Sequence, residues 1–299
     1  MRKYAVIVNG GIGKNIAFTS VLRCLSKTLG QKVSVITGWP LVYHGNPYIN
    51  RVWQFGSTDQ FYDTYSEDGV WILETEPYKH PDYVAKERHL VDVWCEQLGT
   101  VYDGGLPELF PFIEELYQAE QFVANLQETK PVLIAQFWGG PVPQEGQPKP
   151  PRGQRRGIPH KAAQEIVDAL KDQYHILEIT ATGHPKVEGT TPLFDQLRVV
   201  LAAIKYADKL LLIDSFAQHA AAAFNKPATV LWCGTSEKVL GYDIHNNIVT
   251  DKCPTPQCQR PYGWLFDTLA GGIEWSCPHG EVCVNHNVKA VIDEILEKK

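Results

Sequence analysis

The chain has 299 residues, with 28 Lys and Arg against 34 Asp and Glu, a net charge of −6 and 44% hydrophobic residues. That composition suits a globular α/β protein with room for two cores. The acidic balance excludes a general nucleic-acid-binding surface, and no apolar run approaches the ~20 residues that cross a bilayer.

The opening, MRKYAVIVNGG, reads as a strand entering a glycine turn and not as a secretory signal, so the expected location is the cytoplasm. A strand is expected over Tyr4–Asn9, the turn over Gly10-Gly11-Ile12-Gly13, and a helix from there to about Leu29. With a second strand over Lys32–Thr37 this is a βαβ opening. Short elements follow near Asn50–Phe55 and Val70–Leu73. One helix is expected over Val84–Leu98, a break at Gly104-Gly105-Leu106-Pro107, and a helix over Ile113–Leu126. Lys130-Pro131 marks a boundary, giving domains of residues 1–128 and 129–299.

The second half restarts the alternation. A strand over Val132–Phe137 leads through a Gly/Pro/Arg loop to a helix over Lys161–Leu170. A strand over His175–Ile179, a helix over Phe194–Ala207, strands over Leu210–Ile213 and Ala228–Cys233 and a last helix over Asn287–Glu297 complete it. The implied architecture is two Rossmann-like α/β domains facing one another across a cleft.

Asp214-Ser215 closes a buried strand and opens an alanine-rich helix carrying His219, and Gly234-Thr235-Ser236 closes the next strand. In a parallel sheet the ligand lies beyond the carboxyl ends of the strands, and a helix N-terminus there favours an anion. Two such turns side by side read as a site for a phosphorylated or sugar-nucleotide ligand. Between them in function stands a basic segment, Lys149, Arg152, Arg155, Arg156 and Lys161, with no acidic residue. It is either a solvated loop or a phosphate clamp at the mouth of the cleft; arginine suits phosphate oxygens through its planar fork of donors.

Seven cysteines argue against a fully paired disulfide framework. Cys24, Cys95 and Cys233 sit among apolar residues and read as small core hydrophobes. The other four form Cys253-x4-Cys258-x18-Cys277-x5-Cys283 in a Pro/Gly-rich stretch. They are either reduced thiols in a compact loop or ligands of a structural zinc or iron, since four thiolates leave no open position for catalysis.

The stretch from Ala207 to Thr235 resembles the late signature of the heptosyltransferase-like glycosyltransferases, family 9. Ala207, Asp208, Asp214, Ser215, His219, Ala221, Ala222, Ala223, Lys226, Pro227, Gly234 and Thr235 fit it, and Phe216 stands where that family has glycine. Gly10 to Gly13 with Thr19, Leu22 and Arg23, then Asn46-Pro47-Tyr48-Ile49 with Arg51-Val52, then Arg156-Gly157-Ile158-Pro159, extend the resemblance over most of the chain. It implies a GT-B fold and inverting transfer of a sugar, by default heptose on an ADP carrier, from a nucleotide-diphosphate donor to an acceptor hydroxyl.

The resemblance assigns the donor to the C-terminal half, on Arg156, Asp214, Ser215, His219, Gly234, Thr235 and Ser236. The acceptor falls to Gly11, Ile12, Gly13, Lys14 and Asn15. Lys14, Arg156 and Asp214 are the candidate catalytic residues, and no catalytic cofactor is implied. The acceptor could be a glycan, a protein side chain or a modified nucleic-acid base. Relatives often carry cysteines at the late cluster, and some hold iron on four of them.

Lys14 occupies the position of the family's aspartate base. A lysine is protonated near neutral pH unless burial depresses its pKa strongly. Three readings follow: another group (Asp59, Asp63, Glu74, Glu76, Asp92 or His89) takes the proton; Lys14 binds a phosphate; or the chain binds sugar nucleotides without transferring them. A sugar-nucleotide epimerase of the same fold is a further alternative.

Overall fold

The structure, a computed structural model, describes residues 3–56, 58–65, 69–139, 156–193, 196–254, 279–280 and 282–297. Strand β1 (Lys3–Val8) leads into helix α1 (Ile12–Leu29), then β2 (Val33–Thr37), β3 (Ile49–Gln54), α2 (Thr58–Tyr65) and β4 (Val70–Glu74). The four strands form a parallel sheet in the order β3-β2-β1-β4. Helix α1 ends on Gly30 at φ 63°, a left-handed cap whose N–H bonds back to Lys27.

After a short 3-10 turn at Pro77–Lys79 come α3 (Pro81–Val84), α4 (Leu90–Gln97) and α5 (Ile113–Gln127). The single helix expected over Val84–Leu98 is therefore split. Lys86 takes φ 62°, which breaks the helical path, and the His89 ring accepts from the Val91 N–H to start α4 afresh. Helix α2 and the edge strand β10 below were not expected from the sequence.

The second sheet holds β5 (Val132–Ala135), β6 (His175–Glu178), β7 (Thr191–Pro192), β8 (Lys209–Ile213), β9 (Thr229–Trp232) and β10 (Asn246–Val249). All run parallel, in the order β10-β9-β8-β5-β6-β7. The connecting helices are α6 (His160–Leu170), α7 (Leu197–Tyr206), α8 (Phe216–Ala223) and α9 (Glu237–Leu240), and α10 (Val288–Leu296) follows β10.

Each sheet reverses direction once. From β1 the chain adds β2 and β3 on one side and β4 on the other; from β5 it adds β6 and β7 on one side and β8, β9 and β10 on the other. The crevices that result lie at the carboxyl ends of β1 and β4 and of β5 and β8, where open parallel sheets bind ligands.

One hydrophobic cluster joins the halves. Phe18 and Trp94, 4.7 Å apart between ring centroids, share it with Ala217, Ala220 and Trp232. Residues Lys14 to Ser26 of α1 are all buried, because α1 packs on its own sheet and also on α8. A second cluster lies under α6 and α10. Among the described residues, no helix is long and apolar enough to cross a membrane.

Candidate functional site

The first crevice is built on a strained turn. Gly10 takes φ 103°, and a Cβ there would lie 2.9 Å from Lys14 Cδ, so only glycine fits. The buried Asn15 side chain holds the turn: its Oδ1 accepts from Thr37 Oγ1 (2.6 Å) and the Tyr43 hydroxyl (2.9 Å), and its Nδ2 donates to Gly11 O (3.0 Å). The Trp39 indole donates to Gly10 O at 3.0 Å. Gly11 and Ile12 stand at the open start of α1, where no Cβ on Gly11 would meet another atom within 4 Å.

Lys14 points inward from the first turn of α1 and is 7% exposed. Its Nζ donates to Glu76 Oε1 at 2.8 Å and sits over the rings of Tyr78 (4.7 Å) and Trp94 (5.2 Å). Burial lowers its pKa, and the bond to Glu76 opposes that shift.

The second crevice centres on Asp214-Ser215 at the end of β8. Ser215 caps α8, accepting from the Ala217 N–H at 3.2 Å, and its hydroxyl donates to Gln136 Oε1. Gln136 follows β5 and is 5% exposed, so it ties the ends of the two central strands together. With its one proton given to Gln136, Ser215 has no O–H left for a phosphate, and that contact falls to the backbone of the turn. Arg156 Nη1 donates to the Asp214 carbonyl at 3.3 Å. On the neighbouring turn Ser236 caps α9, Gly234 is buried, and the buried Thr235 Oγ1 has no partner among the described residues. Arg152 and Arg155 lie outside the described residues.

The two crevices meet. Tyr78 is partly buried, and its phenol pKa is raised first by desolvation of the hydroxyl, then by the charges of Asp214 and Glu76, with Arg156 opposing. One phenol thus senses groups from both halves. Gly13 faces α8 so closely that a Cβ on it would lie 2.9 Å from the His219 ring and 3.3 Å from Phe216 Cα. His219 sits behind this contact, with Nδ1 2.8 Å from the Tyr242 hydroxyl. Burial, then the charges of His89, His245 and Arg156, push its pKa down to about 3. The structure places it in the packing between α1 and α8, not on the open turn.

Gly11, Ile12, Gly13, Lys14 and Asn15 therefore gather in one crevice, and Arg156, Asp214 and Ser215 in the other. Two residues of the site, Gln136 and Tyr78, are not among those the sequence singles out. Gln136 carried a signal, a polar residue closing the apolar run Val-Leu-Ile-Ala at a strand end; Tyr78 carried none. Cys258 and Cys277 lie outside the described residues. Cys253 is a buried free thiol, and Cys283 stands on a second segment tied to its own by a 3.2 Å bond from Thr250 Oγ1 to Asn285 O. Among the described residues no three His, Cys, Asp or Glu side chains converge on a metal position.

No protein-family model and no curated protein sequence matches this chain. Solved structures do. It is similar to a glycosyltransferase of family 9 from Veillonella parvula, at 16% identity and a TM-score of 0.67, over 99% of this chain and 98% of that one. It is similar to the ADP-heptose lipopolysaccharide heptosyltransferase II of E. coli, at 14% identity and 0.62, over 90% and 98%. The iron-containing dodecameric glycosyltransferase TibC of enterotoxigenic E. coli is similar at 10% and 0.61, over 98% and 76%. The fold is accordingly the GT-B-like pair of parallel α/β domains found in these glycosyltransferases.

Proposed function

We propose that this chain is a glycosyltransferase related to family 9. It moves a sugar from a nucleotide-diphosphate donor to an acceptor hydroxyl, inverting the anomeric carbon in one displacement. The observation that carries this reading is the meeting of two switch-point crevices, one basic at Arg156 and one lined by Lys14 and Glu76. Residues 129–299 hold the donor and residues 1–128 the acceptor.

The leaving diphosphate gains negative charge as the glycosidic bond to it breaks. Arg156 and the N-terminus of α8 at Asp214-Ser215 meet that charge without reorganising, the arrangement that stabilises a transition state best. Thr235, with a buried hydroxyl lacking a protein partner, supplies a further donor. Asp214 orients Arg156 through its carbonyl and offers its carboxylate to the sugar. His219 acts from behind, fixing the spacing of the two helices.

Several structural neighbours are heptosyltransferases, and one is solved with ADP. ADP-heptose is therefore the first donor to try, and a glycan hydroxyl the first acceptor, with protein and modified nucleic acid as further acceptors. The chain works in the cytoplasm on this reading. Cys253, Cys258, Cys277 and Cys283 would hold a structural zinc or iron, with no part in the displacement.

The test is donor binding by calorimetry. Arg156→Ala with Asp214→Asn is expected to weaken binding of the nucleoside diphosphate at least about tenfold, the loss of one charge-assisted contact or more. Undiminished binding in that double variant sinks the donor-site assignment.

A further inference from the structure

The proposed transfer needs a group to take the acceptor's proton, and Lys14 does not serve: its Nζ is already committed as a donor to Glu76. Five other candidates can be taken in turn. Asp59 and Asp63 ride on α2, whose Phe61 and Tyr65 pack with Ala5 on one face of the first sheet. Val6 and Val8 point to the other face, where α1 and the cleft lie. Asp92 is held by Arg88 Nε at 2.7 Å. The Nδ1 of His89 is used to cap α4, and burial holds its pKa down to about 4. Glu74 is exposed and accepts from Asn9.

Glu76 differs from all of these. It leaves the carboxyl end of β4 beside the carboxyl end of β1, at the switch point of the first sheet. Its Oε1 accepts from Lys14 Nζ at 2.8 Å and from the Tyr78 N–H at 3.4 Å, which fixes the carboxylate. Both bonds use Oε1, and the side chain is 33% exposed, so Oε2 is the oxygen offered to a substrate. Across the cleft stand Asp214 and Arg156, close enough for both to act on the Tyr78 phenol.

Resting on the glycosyltransferase reading above, we infer that Glu76 is the general base of the reaction and Lys14 the residue that positions it. The acceptor oxygen bonds to the anomeric carbon while the bond from that carbon to the diphosphate oxygen breaks. The electron pair leaves with the nucleoside diphosphate, and the acceptor's proton passes to Oε2 of Glu76 and from there to water. A carboxylate just beyond β4, steadied by a buried lysine, thus does the work that the family resemblance gives to a carboxylate on α1.

The experiment follows release of ADP from ADP-heptose, with water as the acceptor, beside binding of ADP. Glu76→Gln keeps an oxygen for Lys14 Nζ and the Tyr78 N–H, so a residue of merely structural role would tolerate it. The inference expects kcat to fall ~10²–10⁴-fold, the usual worth of a general base, with ADP affinity unchanged. Glu76→Asp should retain part of the rate, and Glu74→Gln nearly all of it. Lys14→Met should slow the wild type but make Glu76→Gln no slower, because a positioning residue has nothing left to position. A Glu76→Gln enzyme with more than about a tenth of the wild-type kcat overturns the inference and leaves the transferase reading standing. A wild type that releases no nucleoside diphosphate from any nucleotide sugar removes the reading itself, and the inference with it.

Discussion

At the scale of single residues, the interface between the halves is held by histidines kept neutral. Burial pushes His219 down to about 3 and His89 to about 4, against 6.5 for a free imidazole. The unfolded chain binds their protons below 6.5 while the folded chain refuses them until far lower. Stability is therefore fully present above pH 6.5 and is lost as pH falls through the window to about 4 and then 3. His219→Gln should flatten the dependence between pH 6 and 4 by about one proton, or ~1.4 kcal/mol per pH unit. Denaturant unfolding across that range measures it, and parallel slopes would refute the assignment. The turn at Asp214-Ser215 was legible because a strand end before a helix start has a chemical signature, whereas Arg156 stood out through the basic segment and the family resemblance. The partnership of Lys14 with Glu76 was not legible, because 62 residues separate them and only sheet order brings them together.

At the scale of elements, the contact between α1 and α8 sets the distance between the two crevices. Gly13→Ala should gain about 1 kcal/mol of helix propensity. It should lose more, about 1–3 kcal/mol, by driving a methyl into the His219 ring and the Phe216 backbone. The melting temperature is expected to drop, and a rise would mean that the helices separate at no cost. Most elements were readable from apolar periodicity, because buried parallel strands and α1 leave long apolar runs. Several short elements escaped it, and three details show why. Lys86 in a left-handed conformation splits one helix; α2 covers only the small Trp53–Phe61–Tyr65 cluster; and β10, Asn246-Asn247-Ile248-Val249, is an edge strand of mixed polarity.

At the scale of the molecule, the halves are clasped by one arginine. Arg198 on α7 reaches across to Glu115, donating from Nε (2.6 Å) and Nη2 (2.8 Å), and to the carbonyls of Leu41 (2.7 Å) and Phe110 (2.9 Å). It is 7% exposed and lies over the Phe112 ring. Removing it strands Glu115 and three carbonyls, those of Leu41, His44 (3.3 Å) and Phe110, so Arg198→Met should cost about 3–5 kcal/mol. Lysine cannot reproduce the fork, so Arg198→Lys should recover little. A loss below about 1 kcal/mol in urea unfolding would show the clasp to be an exposed pair of ordinary worth.

The proposed activity rests on a cleft between two parallel sheets acting on a nucleotide sugar. Its most direct test presents purified protein with a panel of ADP-, UDP-, GDP- and CMP-sugars, recording thermal shift and release of free nucleotide. A ligand that binds only the folded state raises the melting temperature by mass action. The prediction is a selective shift with one donor, accompanied by slow release of its nucleoside diphosphate. No shift and no release across the panel would mean that this chain keeps the fold of a glycosyltransferase without its chemistry.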